Sequence, residues 1–362
     1  MKNAGLLLED GTFFEGSIFG NPAEAYGEVV FTTSMTGYEE SITDPSYRGQ
    51  ILVFCYPLVG NYSFASSDLQ SRVPQVRGIV VSENTSVSVG AGTGFSDFLR
   101  RHGIPALEGV DTRSLVRKVR THGTMKGIIL PSSGRREAES RIGELARMKN
   151  AWDENLVGEV STPRVRGPYG EGRTAIIIDC GMKNNLLRDI SSRFRTYVVP
   201  YSASYGKIQA LEPDCIVVSS GPGDPSHAAM RGTVETLRRL SEDYPVLGVC
   251  LGHQLLALSH GAKSFKLKFG HRGTNHPVRM GGRVYITSQN HGFGLEADSI
   301  ADLPMRITQT SLNDGTVEGL THENGRIITS QYHPEGGPGP SDTRFMYDLF
   351  SAIVEKEGDA RR

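Results

Sequence analysis

Cysteine is scarce in this sequence, and its spacing excludes two kinds of covalent or metal stabilisation. The 362 residues include four cysteines, Cys55, Cys180, Cys215 and Cys250. They are far apart and form no C-x-x-C pair, so we expect neither a zinc site nor a disulfide framework. A reducing, cytoplasmic location fits this pattern best.

Long apolar runs and an excess of one charge are also missing. The first eleven residues contain one lysine and a five-residue apolar run, which is too short for a signal peptide. No later run approaches the roughly 20 residues that span a bilayer. Lys and Arg number 39, against 40 Asp and Glu. Without a basic surplus, we expect a soluble protein that binds neither nucleic acid nor an anionic membrane.

The composition is that of a globular protein, with 38% hydrophobic and 22% charged residues and enough length for two domains. Residues 1–130 hold short apolar stretches separated by Gly, Pro, Asn and Asp, which predicts a smaller, β-rich α+β domain. Residues 173–362 alternate nearly continuous apolar runs with helical segments. That alternation predicts a doubly wound α/β domain with a mostly parallel sheet. We interpret 131–172, a charged helix at 135–148 followed by a Gly- and Pro-rich stretch, as the linker region.

Within the first region, the pattern predicts helices at 94–102 and 111–121. The polar stretch 33–47 is interpreted as a loop. Residues 90–94, GAGTG, lack the preceding strand and the lysine of a phosphate-binding P-loop, so we interpret them as a turn.

The stretch 245–258, PVLGVCLGHQLLAL, is the strongest indication of chemistry. It predicts a short strand followed directly by a helix, with Cys250 at the bend. Residues 248–252 have the form G-x-C-x-G, the thiol counterpart of the G-x-S-x-G nucleophile elbow, in which a Cβ at either glycine would collide with a neighbouring element. The helix N-terminus favours a thiolate. The alternative is a buried structural cysteine.

Two other predicted strand ends point to the same place, because sites in doubly wound sheets lie at the carboxyl ends of the strands. Residues 219–225, SSGPGDP, either turn backbone N–H groups toward a developing oxyanion or form a simple Gly/Pro turn. Residues 331–335, QYHPE, supply the other groups that a thiol nucleophile needs. His333 is the candidate base, and Glu335 is the carboxylate that would fix its tautomer.

His253 is the competing base, since it lies three residues after Cys250. An elbow directs its nucleophile away from its own helix, which makes His253 the weaker candidate. The other histidines of this region, His271, His276 and His291, lie in stretches that we interpret as loop-like, without a thiol partner.

Several motifs together resemble a known family. GVCLGHQLLA at 248–257, GPGDP at 221–225 and HPE at 333–335 are similar to class I glutamine amidotransferases. Further motifs closely resemble the small, glutamine-hydrolysing subunits of carbamoyl-phosphate synthases and extend the resemblance over nearly the whole chain. They are TSMTGYEE at 33–40, DPSYRGQI at 44–51, YPLVGN at 56–61, DTR at 111–113, DCGMKNN at 179–185, KFGHRGTNHPV at 268–278, QNHGF at 289–293 and SLNDGTVEG at 311–319.

The resemblance implies a catalytic triad of Cys250, His333 and Glu335, with Gly221 and Leu251 contributing the N–H groups of an oxyanion hole. It implies that L-glutamine is held by Ser46, Gly221, Gly223, Leu251, Gln254, Asn290, Gly292 and Phe293. Ser220 and Met182 stand where the family often has asparagine and alanine, which affects only the shape of nearby loops.

The resemblance also implies a partner, a large synthetase subunit in a heterodimer or a higher assembly of it. That subunit would use ATP and Mg²⁺ to make carbamoyl phosphate, for pyrimidine or arginine synthesis, while this chain would hold no metal or cofactor. The N-terminal domain would dock the partner. Two other functions remain open: a glutaminase component for another acceptor, such as chorismate or a purine nucleotide, and a non-catalytic docking subunit.

Overall fold

The computed structural model of the chain describes residues 4–62, 68–85 and 94–360. Its internal contacts divide the chain into two compact units, Met1–Glu154 and Asn155–Arg362. The division falls inside the segment that we interpreted as the linker region. Each unit has a buried apolar core of its own, as expected of a domain.

The elements of the N-terminal unit, over its described residues, are short strands with helices between them. The strands are β1 (Ala4–Leu8), β2 (Phe13–Ile18), β3 (Ala25–Thr32), β4 (Gln50–Phe54), β5 (Leu58–Val59), β6 (Gly78–Val80), β7 (Glu83–Asn84), β8 (Ala106–Glu108) and β9 (Met125–Leu130). The helices are α1 (Tyr38–Thr43), α2 (Phe95–Arg101), α3 (Thr112–His122), α4 (Arg135–Glu139) and α5 (Ile142–Arg147), with 3₁₀ turns at Pro45–Tyr47 and Ala151–Asp153.

Seven of these strands form a closed barrel in the order β1-β2-β8-β6-β4-β3-β9, and β5 and β7 pair with each other in a separate two-stranded sheet. Strands β3, β4, β6 and β8 run parallel to their neighbours in that series, and the remaining pairs are antiparallel. A closed sheet leaves no unpaired edge. Asp111 caps α3, as the sequence predicts, because its carboxylate accepts from the Ser114 N–H at 2.9 Å.

The C-terminal unit alternates strands and helices. Over its described residues, the strands are β10 (Arg166–Tyr169), β11 (Thr174–Asp179), β12 (Arg195–Pro200), β13 (Cys215–Val218), β14 (Val246–Val249), β15 (Ser264–Met280), β16 (Arg283–Leu295), β17 (Met305–Ser311), β18 (Val317–His322) and β19 (Ile327–Ser330). The helices are α6 (Leu156–Val160), α7 (Asn184–Ser191), α8 (Tyr205–Gln209), α9 (Arg231–Asp243), α10 (Leu251–Ser259) and α11 (Phe345–Ala360), with 3₁₀ turns at Ala228–Met230 and Ala297–Ile300.

These strands form one sheet in the order β10-β12-β11-β13-β14-β19-β18-β17-β15-β16. The central run from β12 to β19 is parallel, and antiparallel strands extend it at both ends. Alternate residues of β11 pack on opposite faces: Ile176 and Ile178 join the core beneath α9 and α10, whereas Ala175 and Ile177 join the core beneath α7 and α11. Burial on both faces explains why these strands are continuous apolar runs. The predicted fold class is confirmed.

The structure differs from the sequence predictions where packing decides the conformation. The stretch 33–47 contains the six-residue α1, whose Tyr38 and Ile42 are buried in an apolar cluster with Phe95 and Leu99 of α2. A helix this short is stabilised by packing rather than by propensity, so its sequence gives little sign of it. The charged helix at 135–148 is two helices, α4 and α5. Ser140 lies between them and donates its hydroxyl to the Glu137 carbonyl, which competes with helix continuation.

The stretches around His271, His276 and His291 are strands, not loops. They belong to the long hairpin of β15 and β16, whose register shifts twice. Such bulges break the two-residue period by which a strand is recognised. Residues 90–93 of the predicted glycine-rich turn lie outside the described residues, and Gly94 precedes α2. In the described ranges, no helix has the length and apolar character needed to cross a membrane.

Candidate active site

The candidate nucleophile lies at a sharp turn between β14 and α10. Cys250 adopts φ 53° and ψ −104°, with Val249 ending the strand and Leu251 beginning the helix. A residue other than glycine with positive φ carries backbone strain, and such residues cluster at functional sites. The turn has the form of a nucleophile elbow.

Close packing around Cys250 requires glycine at both flanking positions, Gly248 and Gly252. A Cβ on Gly248 would lie 2.6 Å from Leu256 Cδ1 and 2.8 Å from the Gly252 carbonyl oxygen. A Cβ on Gly252 would lie 2.2 Å from the Val218 carbonyl oxygen. Strand β14, helix α10 and the neighbouring strand β13 can therefore pack this closely only because the two positions carry no side chain.

His333 and Glu335 follow the strand next to the elbow. Strand β19 is parallel to β14, so the carboxyl ends of the two strands are adjacent, and the Cys250 N–H donates to the Ser330 carbonyl at 2.8 Å. His333 Nδ1 donates to Glu335 Oε1 at 2.8 Å, and both side chains are buried. Nε2 of His333 has no partner of standard hydrogen-bond geometry among the described residues. The ring is thus held by one nitrogen and presents the other.

The electrostatics favour an ionised pair. Burial and the Lys183 ammonium oppose a charge on His333, but the Glu335 carboxylate and the Cys250 thiol raise its pKa above the ordinary value. Burial opposes a charge on Glu335, but His333 and Lys183 lower its pKa to about 2. A buried, ionised histidine–carboxylate pair is the arrangement that supports a thiol nucleophile.

Two residues that the sequence analysis did not assign to the site also contact Glu335. The Lys183 ammonium lies 3.8 Å from Glu335 Oε1 and donates to the Gly336 carbonyl, and the Tyr347 hydroxyl donates to Glu335 Oε2 at 2.9 Å. Lys183 follows β11 at the same edge of the sheet, and this position is a signal that could have identified it. Tyr347 lies in the remote helix α11, and nothing in the local sequence connects it with the site.

The two candidate oxyanion donors come from adjacent loops. Leu251 is the first residue of α10, so its N–H has no acceptor within the helix. Gly221 follows β13, and a Cβ there would lie 2.1 Å from the Cys180 carbonyl oxygen and 2.9 Å from Leu251 Cδ2. Gly221 therefore lets the chain approach α10 closely. Backbone donors at such a place suit an oxyanion.

The structure brings several of the predicted glutamine ligands together. Gln254 on α10 donates through Nε2 to the Phe293 carbonyl at 2.9 Å, and the Cys250 thiol donates to the Asn290 carbonyl at 3.7 Å. Gly292 lies between Asn290 and Phe293 on β16. The segment 290–293 thus runs beside the elbow.

Two other predicted ligands lie outside α10 and β16. Gly223 adopts φ 90° in the loop that contains Gly221. Ser46 belongs to the N-terminal unit, where its N–H donates to Asp44 Oδ1 at 2.9 Å. Its hydroxyl is buried and finds no partner among the described residues. A buried polar group without a partner is costly, and a ligand is one means of satisfying it.

The remaining histidines have other partners. His253 is fully buried, with Nδ1 2.7 Å from the Thr329 hydroxyl, and burial lowers its pKa to about 3. It is therefore a neutral core histidine. His271, His276 and His291 form a cluster with ring centroids 4.9 to 5.4 Å apart. His271, His291 and Glu318 each present one possible metal-ligand atom, and these atoms lie within 4.8 Å of one another.

A cysteine elbow in a doubly wound sheet, beside a buried histidine and glutamate, defines a class I glutamine amidotransferase domain, and residues 176–353 match the family model of that description. Residues 6–129 match the model described as the carbamoyl-phosphate synthase small chain, CPSase domain. The chain belongs to the carbamoyl-phosphate synthase small-chain family, the glutamine-hydrolysing subunits of these enzymes, which confirms the resemblance.

Curated relatives match over nearly their full length. The chain is 45% identical over 361 residues to the carbamoyl phosphate synthase small chain of Methanopyrus kandleri, covering 98% of this chain and 99% of that one. It is 43% identical to the small chain of Listeria monocytogenes, with 98% of both chains covered. It is also 43% identical to that of Archaeoglobus fulgidus, covering 98% of this chain and 99% of the relative.

Proposed function

We propose that this chain hydrolyses L-glutamine with Cys250 as nucleophile, His333 as acid and base, and Glu335 as the residue that orients His333. The observation that supports this most directly is the strained elbow, which holds Cys250 beside a buried, hydrogen-bonded His333–Glu335 pair. Neutral His253 is bonded to a core threonine instead, which disfavours it as the base.

The proposed reaction has two halves. The thiolate of Cys250 attacks the side-chain amide carbon of glutamine, and a C–S bond forms. The C–N bond then breaks as His333 gives its proton to the departing ammonia, leaving a γ-glutamyl thioester. A water molecule deprotonated by the same histidine attacks the thioester and releases glutamate, and Cys250 leaves as the thiolate. One difficult displacement is thereby divided into two easier ones.

In this proposal, backbone N–H groups of Gly221 and Leu251 stabilise the oxyanion of both tetrahedral intermediates. Such donors commonly contribute on the order of 10²–10³ in rate. The glutamine itself is held by the residues that the resemblance implies. They are Ser46, Gly221, Gly223, Leu251, Gln254, Asn290, Gly292 and Phe293.

We further propose that the ammonia passes to a large synthetase subunit, in a heterodimer or a higher assembly of it. The sequence has no recognisable nucleotide-binding motif, since GAGTG at 90–94 lacks the P-loop lysine. ATP and Mg²⁺ would accordingly act on the large subunit, where bicarbonate and ammonia yield carbamoyl phosphate. The N-terminal unit would serve as the docking surface.

The test is release of glutamate from glutamine by the full-length chain, with and without the large subunit from the same source. We expect hydrolysis by the wild type, strongest with the partner, and none by Cys250→Ser. Cys180→Ser is the matched control, because Cys180 is also buried but burial raises the pKa of its thiol. Equal hydrolysis by wild type and Cys250→Ser would refute the mechanism. Equal rates with and without the partner would refute the proposed partnership.

A further inference from the structure

A closed ring of hydrogen bonds joins the buried Glu318 of β18 to the candidate glutamine site. Its members are buried polar side chains and the main chain beside them, and they come from three elements, β16, β18 and α10, and from the segment that follows β19. They are Glu318, Gln289, His291, Phe293, Gln254 and Gln331. Glu318 itself is neither a nucleophile nor a predicted glutamine ligand.

One arm of the ring runs through side chains. Gln289 Nε2 lies 2.9 Å from Glu318 Oε2, and Gln289 Oε1 lies 2.7 Å from His291 Nε2. His291 Nδ1 donates to the Phe293 carbonyl at 2.7 Å. This arm therefore ends on the main chain of segment 290–293.

The other arm runs through the backbone of Glu318. The Gln331 N–H donates to the Glu318 carbonyl at 2.8 Å, and Gln331 Oε1 accepts from Gln254 Nε2 at 2.9 Å. The same Nε2 donates to the Phe293 carbonyl at 2.9 Å, where the two arms meet. Gln331 lies two residues before His333. The ring therefore connects segment 290–293 with the segment after β19 that contains His333.

The hydrogen bonds of the ring require one additional proton, which either His291 or Glu318 must carry. The Phe293 carbonyl only accepts, so Nδ1 of His291 must carry a hydrogen. If Gln289 presents its oxygen to Nε2, then His291 must be doubly protonated. If the amide is turned, its oxygen faces Glu318, which must then carry the proton.

His271 and Asp314 lie next to the other carboxylate oxygen of Glu318. His271 Nδ1 lies 3.4 Å from Glu318 Oε1, and His271 Nε2 lies 2.8 Å from Asp314 Oδ2. Both Glu318 oxygens thus face defined neighbours. A buried polar network with few degrees of freedom fixes the groups at its ends.

We propose that Glu318 is a positioning residue for glutamine binding, holding the segment 290–293 beside Cys250 through Gln289 and His291. The proposal rests on the proposed function, in which Asn290, Gly292 and Phe293 hold the substrate. Glu318 would act on KM rather than on the chemical step, because the ring touches the triad only through the main chain.

The test compares steady-state glutamine hydrolysis by Glu318→Leu and Glu318→Gln in the full chain with its large subunit. Leucine cannot bond Gln289, so we expect KM for glutamine to rise about tenfold or more while kcat stays within about threefold, which is the scale of one or two lost hydrogen bonds. A glutamine amide can serve as donor or acceptor toward Gln289, so Glu318→Gln should restore KM to within about threefold of the wild type.

Gln309→Met is the matched control. Gln309 is buried on the adjacent strand β17 and donates to the Thr329 carbonyl at 3.4 Å, outside the ring. Its substitution should change stability without changing KM. If Glu318→Leu does not fold, Gln289→Met removes the same hydrogen bond and should raise KM to a similar extent. An unchanged KM in either folded variant, or an equal rise in the Gln309 control, overturns the proposal.

Metal analysis of the purified chain separates a further explanation. Stoichiometric zinc, whose removal by a chelator raises KM, would make His271, His291 and Glu318 a metal site and would overturn the positioning role. The Cys250→Ser comparison keeps the two proposals distinguishable. If that variant is inactive and Glu318→Leu has a normal KM, only the positioning role fails.

Discussion

Removal of the Tyr347 hydroxyl tests how strongly the buried Glu335 carboxylate depends on a hydrogen bond from the remote helix α11. In Tyr347→Phe, Glu335 loses a 2.9 Å hydrogen bond to Oε2 inside a fully buried site. A hydrogen bond to a buried charged group contributes about 1.5–3 kcal/mol. Because Glu335 keeps His333 on its other oxygen and Lys183 nearby, we expect a loss near 1.5 kcal/mol in the free energy of unfolding, about a factor of ten in the unfolding equilibrium.

The matched control is Tyr332→Phe. Tyr332 is also fully buried in the same unit, but its hydroxyl lies near the Gln309 side chain without the geometry of a hydrogen bond. We expect this variant to be neutral or slightly stabilising, because it removes a buried polar group that has no partner.

The assay is urea unfolding followed by far-ultraviolet circular dichroism, with glutamate release measured on the same samples. Tyr347→Phe should lower kcat by less than about tenfold and leave KM unchanged, since the bond between His333 and Glu335 persists. Equal stability losses in the two variants would refute the reasoning, because the hydroxyl on Glu335 would then contribute no more than an unbonded one.

Three other predictions follow from single positions. The pKa of Glu335 is lowered to about 2, so its ionisation contributes stability that is present above the ordinary pKa of about 4.3 and lost as pH falls toward 2. Glu335→Gln should therefore make the free energy of unfolding less dependent on pH between these values. An unchanged pH dependence in this variant would contradict the prediction. Gly252→Ala should lower Tm sharply, because the new Cβ would lie 2.2 Å from the Val218 carbonyl oxygen. Gly232→Ala on α9 has open space around the new Cβ and should be neutral or stabilise the protein by up to about 1 kcal/mol. Equal changes in Tm would argue against close packing at the elbow. His333→Asn should abolish glutamate release, whereas His253→Gln should lower Tm and retain turnover. Loss of turnover in a folded His253→Gln variant would indicate that His253 is the base.

Local sequence was sufficient where backbone geometry and burial have direct signatures. The G-x-C-x-G pattern at the junction of an apolar run and a leucine-spaced helix predicted the elbow, because only glycine fits where strand, helix and neighbouring strand meet. The apolar runs predicted the central strands for a similar reason, since strands covered on both faces have no polar side.

The partners of the triad were not predictable in the same way. Tyr347 contacts Glu335 from α11, and Lys183 reaches it from the loop after β11. The position of Lys183 after a central strand is a weak signal, and nothing in the local sequence distinguishes Tyr347 from any other helix tyrosine. Their roles depend on which elements the fold brings together.

Sequence by itself determined the class of domain, the candidate nucleophile and its base, because these depend on short-range constraints at strand ends. Tertiary structure alone decided which buried charges stabilise one another. It placed Glu318 beside His271, in a hairpin that resembled a loop in sequence, and joined Gln254 to the Phe293 carbonyl. Hydrogen bonds between residues far apart in the chain require register and packing, and neither is encoded in any single stretch.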